Sequence, residues 1–122
     1  MRDFRKLDVW HGARAFAVDI YRVTAHFPAS ERFGLTDQLR RSSVSIMSNI
    51  AEGAGRGSRP DYARFLDIAL GSTNECECQL ILSHDLGFVE DATAATLTDH
   101  VDHIRRQLVR LKKRIGVERA DV

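Results

Sequence analysis

The stretch that most constrains this chain runs from Gln38 to Gly57, QLRRSSVSIMSNIAEGAGRG. Leu39, Ser43, Ile46, Ile50 and Gly53 recur at steps of three and four, which places them on one face of a helix. Gln38, Ser45, Asn49 and Glu52 form a polar stripe beside that face. Val44, Met47 and Ala51 make a second apolar strip well round from the first. A helix apolar on two sides is more buried than a lone four-helix bundle requires. The pattern therefore predicts a helix that packs against its own chain and against another subunit. Gly53, Gly55 and Gly57 are expected to stop it and to form a flexible corner.

The rest of the chain reads as further helix built around this one. Val9, Ala13, Phe16, Ile20, Val23 and Phe27 give helical spacing from Leu7 to Phe27, and Pro28 ends that segment. The connection through Gly34 is expected to hold a short turn, with Phe33 and Leu35 tucked under the bundle end. The second helix should start near Thr36 as N-cap. Ser58 and Asp61 form a capping pair that restarts the chain as a third helix running to about Leu86. Its core face is Tyr62, Phe65, Leu66, Ala69, Thr73, Cys76 and Leu80. Ile68, Gly71, Cys78 and Leu82, with Glu75 among them, again lie on the far side. Gly71 in mid-helix costs about 1 kcal/mol against alanine, and close approach of another helix would offset that. Gly87 is placed as the left-handed residue closing the third helix. The fourth begins near Asp91 or Thr93 and carries one seam, Leu97, Val101, Ile104, Leu108, Leu111 and Ile115. It is expected to end at Gly116 and to leave a frayed tail at 117–122. The whole predicts one all-α domain over residues 1–122, an up-down-up-down antiparallel four-helix bundle.

Charge narrows the function classes. The chain has 122 residues, with 18 Lys and Arg against 17 Asp and Glu, so it is not basic as a whole. Only a local concentration of cations could engage nucleic acid. No segment has signal-peptide or membrane-spanning character, and a cytoplasmic location is expected. Cys76 and Cys78 point about 200° apart on a helix and cannot bridge.

Two basic clusters are candidate nucleic-acid contacts. Arg40, Arg41, Arg56, Arg59 and Arg64 flank the glycine corner, where guanidinium forks suit phosphate. Of these only Arg56 and Arg59 lie in the corner, and Glu52 and Asp61 nearby offer ion pairs instead. The second cluster is Arg105, Arg106, Arg110, Lys112, Lys113 and Arg114. Cations near a helix C-terminus also complement the helix dipole, which is its plain structural role. The polar stripe of the second helix, extended by Arg41, is either a binding surface beside a ring channel or a buried network that fixes subunit register. His100 and His103 share a helical face without a third ligand, so no metal is expected. His84 and Glu77 should find partners on another helix. The three glycines of the corner follow no strand and precede no P-loop lysine. No serine sits in a nucleophile motif. No enzyme and no cofactor are read here.

These residues resemble the small four-helix bundle family encoded in intervening sequences of bacterial large-subunit ribosomal RNA genes. The likeness rests on Leu7-Asp8-Val9-Trp10, Ile20-Tyr21, Phe27-Pro28, Phe33-Gly34-Leu35 and Gln38-Leu39-Arg40-Arg41. It is carried furthest by Ser45-Ile46-Met47-Ser48-Asn49-Ile50-Ala51-Glu52-Gly53, then by Phe65-Leu66, Ala69, Gly71-Ser72 and Glu75. Met47 stands where the family usually has proline, and Thr73 and Cys76 where larger aliphatic residues are common. The resemblance implies a ring, usually a homopentamer, with no established enzymatic activity. It marks Gln38, Arg41, Ser45, Met47, Asn49, Glu52, Gly53, Gly71 and Glu75 as motif and subunit-contact residues. A related group serves diversity-generating retroelements, where a basic ring surface binds nucleic acid and a reverse transcriptase. The expected function is binding without catalysis, with RNA or DNA as a partner through basic surface; the alternative is a structural or protein-interaction scaffold.

Overall fold

A computed structural model describes the backbone of residues 2–120 and the side chains of residues 2–116. It contains α1 (Asp8–Thr24), α2 (Leu35–Ala54), α3 (Arg59–Asp85) and α4 (Asp91–Ala120), with single 3-10 turns at Phe4–Lys6 and Ala29–Glu31. No strand occurs among the described residues. The four helices form a bundle in which α2 packs most closely against α3, and α1 packs least against α4.

The core is the set of apolar positions that the spacing singled out. Phe16 and Ile20 of α1, Leu39, Ile46 and Ile50 of α2, Leu66 and Leu80 of α3, and Val101, Ile104 and Leu108 of α4 are fully buried. Each such side chain contributes about 1.5–3 kcal/mol of transfer free energy. Gly53 lets two helices approach closely. A Cβ there would lie 2.9 Å from the Cβ of Phe65 and 3.1 Å from Cδ1 of Tyr62. The glycine therefore sits inside α2, which continues through Ala54, and does not terminate it.

The helix ends show where local sequence decides structure. The Ser58 hydroxyl accepts a hydrogen bond from the Asp61 amide at 3.3 Å, as the capping pattern predicts. At the other end of α3 the Gly87 amide donates to the His84 carbonyl and the Phe88 amide to the Ser83 carbonyl, both at 2.9 Å. Gly87 has φ +79°, the left-handed conformation of a Schellman closure. Three expectations are corrected. Thr36 is not the N-cap of α2. Gly34 is, and the Glu31 carboxylate accepts from the Leu35 amide at 3.2 Å, supplying the cap from the preceding turn. Leu35 is buried, but Phe33 is 84% exposed, with the Arg32 guanidinium 5.2 Å from its ring centroid. Gly116 does not end α4, which runs on to Ala120. Positions 121–122 of the expected tail lie outside the described residues.

Several contacts fix which helix ends meet. The Arg2 amide donates to the Ala54 carbonyl at 3.2 Å, and Gly53 faces Tyr62. Lys6, Leu7, Arg110 and Arg114 line one cleft. The start of α1, the end of α2, the start of α3 and the last turns of α4 thus share one end of the bundle. The Phe27 and Phe88 rings, 5.5 Å apart, bring the connections 28–34 and 86–90 together.

Candidate functional site

The cations of α4 divide into two groups once their surroundings are known. Arg105 donates to Glu77 of α3 at 2.9 Å and to Asp102 at 3.0 Å. Its side chain is only 22% exposed, and its Nε is buried without a hydrogen-bond partner. Arg106 also pairs with Asp102, and Lys112 reaches Asp67 of α3 at 2.6 Å. Arg105 and Lys112 join α3 to α4 and Arg106 braces α4 itself, each with a carboxylate already beside it. Arg110, Lys113 and Arg114 are exposed and have no ion-pair partner among the described residues. Within the expected cluster, Arg110, Lys113 and Arg114 are thus set apart from Arg105, Arg106 and Lys112, which have carboxylate partners.

The sequence reading missed the companion of these residues. Lys6, at the end of the first 3-10 turn, joins Arg110 and Arg114 around a cleft of about 320 Å³ that Leu7, Asp8, Val9, Gln107 and Leu111 complete. Leu7 provides no side-chain cap to α1, so the first amides of that helix add positive potential to the same end. Arg2 lies 4.7 Å from the Tyr62 ring centroid nearby. Only the fold brings residue 6 beside residue 110. The one signal in the sequence was a second short basic run, Arg5-Lys6, directly ahead of α1.

The corner arginines are held differently. Arg56 donates from Nε to Asp61 at 2.7 Å, lies 3.4 Å from Glu52, and stacks over Phe65. Arg64 pairs with the same Asp61 carboxylate at 3.0 Å. Hydrogen bonds from Arg56 and then Arg64 hold the Asp61 carboxyl below its usual range, and the same pair raises Arg56. Arg59 is half-buried at the first position of α3. Arg41 extends to Asp37 at 3.5 Å.

The polar stripe of α2 forms a seam with α3. Ser45 and Ser72 share a hydrogen bond of 2.8 Å. Asn49 donates to the Ser45 carbonyl and hydroxyl at 2.8 and 3.0 Å. The Ser42 hydroxyl donates to Gln79 at 2.8 Å and accepts from the Cys76 thiol at 3.1 Å. Burial, opposed in part by that Ser42 contact, pushes the Cys76 thiol up to about 11. Gln38 receives the Gln79 amide at 3.5 Å, while Glu75 is exposed beside a polar cleft of about 350 Å³. Met47 lies instead on the other side of α2, in a groove of about 600 Å³ shared with α1. Ala17, Val18, Tyr21, Ala25 and Val44 line it too, so α1 also carries a second apolar face. Gly71 is exposed, and a Cβ there would meet no atom within 4 Å. His84 contacts Asp91 at 2.6 Å, and His100 sets its ring against Phe16. Among the described residues no group of three or more His, Cys, Asp or Glu could hold a metal. No described helix is long and apolar enough to cross a membrane.

The profile of the 23S rRNA-intervening sequence proteins matches residues 5–110. The chain belongs to that family. It is also similar to a solved structure from Bacteroides thetaiotaomicron VPI-5482, described as a protein with unknown function from the S23 ribosomal protein family. That likeness has a TM-score of 0.78 and 28% identity, covering 86% of this chain and 98% of the other. No functionally curated protein matches. As an intervening sequence protein, the chain keeps the Ser45–Gly53 motif as an unbroken helical segment, with Met47 causing no interruption. Three motif members, Ser45, Asn49 and Gly53, are engaged within the chain against α2 or α3.

Proposed function

We propose that this chain is an up-down-up-down antiparallel bundle that assembles into a ring and acts by binding nucleic acid, not by catalysis. The observation that carries the reading is Lys6, Arg110 and Arg114 around one cleft at the bundle end, where they outnumber Asp8 and have no ion-pair partner among the described residues. Exposed cations of that kind displace counterions from phosphates on binding, which gives sequence-independent affinity. Repetition around a ring, a homopentamer by the family resemblance, multiplies that weak contact by avidity. The apolar groove of α1 and α2, together with Ile68 and Leu82 exposed on α3, supports assembly. A cytoplasmic location fits this reading.

The test is retention on structured RNA and on duplex DNA as salt is varied. Log affinity should fall linearly with log salt, and Lys6→Glu with Arg110→Glu and Arg114→Glu should abolish binding. Arg32→Glu, at the opposite end, should leave it unchanged. A second reading, a scaffold for other proteins with no nucleic-acid role, draws on the internal pairing of Arg105, Arg106 and Lys112. Absence of retention at low salt would favour it.

A further inference from the structure

We propose that the α1–α2 groove of one copy receives the outer face of α3 from the next copy, so that copies add head to tail with α2 nearest the ring axis. This rests on the assembly reading above and specifies its contact.

The groove is concave and walled by Ala17, Val18, Tyr21, Val44 and Met47, with Val18 44% and Tyr21 45% exposed in the single chain. The outer face of α3 presents Ile68 and Leu82, 41% and 49% exposed, with Gly71 between them. Nothing in the chain's own packing requires a glycine at that position, since its missing Cβ faces open space. A mid-helix glycine on an exposed apolar strip is what a second helix needs to approach closely.

Level and charge select the pairing. Ser45 bonds Ser72, and Arg40 bonds the Tyr21 carbonyl, so Val18 and Val44 stand at the height of Gly71 and Glu75. Arg14 and Arg22 line the groove; Arg22 lies 3.9 Å from Asp19, whereas Arg14 has no carboxylate partner among the described residues. Glu75 and Asp85 flank the α3 strip and have no ion-pair partner among the described residues. Groove against groove would set arginine against arginine, and α3 against α3 would set acid against acid. Groove against α3 pairs opposite signs, which favours the heterologous contact over either symmetric one.

The two surfaces occupy neighbouring sides of the bundle. Glu75 lines the α2–α3 cleft, whereas the groove lies between α1 and α2. Adjacent sides of a four-helix bundle stand roughly 90° apart, and a turn of that order closes on about four to five copies. The helix common to both sides points inward, and α4 faces out.

The test uses the native thiol of Cys78, which is exposed on α3, while Cys76 is buried. Full-length Tyr21→Cys and, separately, Val18→Cys are treated with a short bis-maleimide and run on denaturing gels. The expected result is a ladder of covalent multimers that ends at the ring number and is lost when Cys78→Ser is added. Cross-linking that stops at dimers, or that persists without Cys78, overturns the head-to-tail contact. So does an oligomeric mass by light scattering with no cross-link from either variant, and that outcome leaves the assembly reading standing. A mass of one chain overturns both.

Discussion

Two glycines show how far one residue type can differ in its cost. Gly53→Ala would push a methyl into Phe65 and the Tyr62 carbonyl, 3.3 Å away. Overpacking of that kind costs about 1–3 kcal/mol and outweighs the gain in helix propensity. Gly71→Ala meets no atom and should stabilise the single chain by about 0.8–1 kcal/mol, while its methyl on the proposed docking face should weaken association. Thermal melts read the first effect, and dilution followed by light scattering reads the second. The two thiols differ as sharply. In the dissociated chain Cys78 should react with maleimide at neutral pH at the rate of an exposed thiol, docking of the α3 face should slow it, and Cys76 should react only on unfolding. Because the Cys76 pKa is raised by folding, the unfolded chain ionises first in alkali. Its contribution is intact below the ordinary thiol pKa of about 8.5 and is lost as pH rises toward about 11. Stability of Cys76→Ala against wild type across that window, followed by denaturant melts, measures it.

At the scale of elements, the α2–α3 seam is held by side chains that satisfy each other. Ser45→Ala leaves the buried Ser72 hydroxyl without its partner and should cost about 1 kcal/mol or somewhat more. Ser45→Ala with Ser72→Ala should recover part of the loss. Simple additivity of the two single changes would contradict the pairing. The depressed Asp61 carboxyl adds an acid-sensitive joint where α2 meets α3. Its stabilisation is present above the ordinary carboxyl pKa and disappears as pH falls through the lowered value. Elements whose determinants are local were legible in the sequence. The α3 start needs only Ser58 and Asp61, its end needs Gly87, and the seam of α4 follows from spacing alone. The cap of α2 was not legible, because the capping carboxylate belongs to Glu31, four residues before Leu35. The state of the α4 cations was only partly so. Asp102 stands three and four residues before Arg105 and Arg106, within sight. Glu77 and Asp67 come from another helix, and no spacing rule reaches them. The same is true of Lys6, whose cleft exists only after α1 and α4 meet.

For the whole molecule, the proposed assembly and the proposed nucleic-acid binding should separate by their response to salt. The groove and the α3 strip are apolar at their centres, and high salt does not weaken such contacts. Phosphate contacts weaken steeply. Raising salt should therefore release RNA while the oligomeric mass stays constant, and a parallel loss of both would show that ionic contacts hold the copies together. The bundle also distributes its charges unevenly along its length. Arg2, Lys6, Arg110, Lys113 and Arg114 outnumber Asp3 and Asp8 at one end, and Glu31, Asp37, Asp85, Glu90 and Asp91 outnumber Arg32 and Arg40 at the other. A formal net charge of +1 conceals that separation. A polyanion approaching from any direction exerts a torque on such a particle before it touches, turning the positive pole forward. Encounter would then be aligned in advance, and a chain that is almost neutral by formal count would behave, at close range in dilute buffer, as a cation with a front and a back.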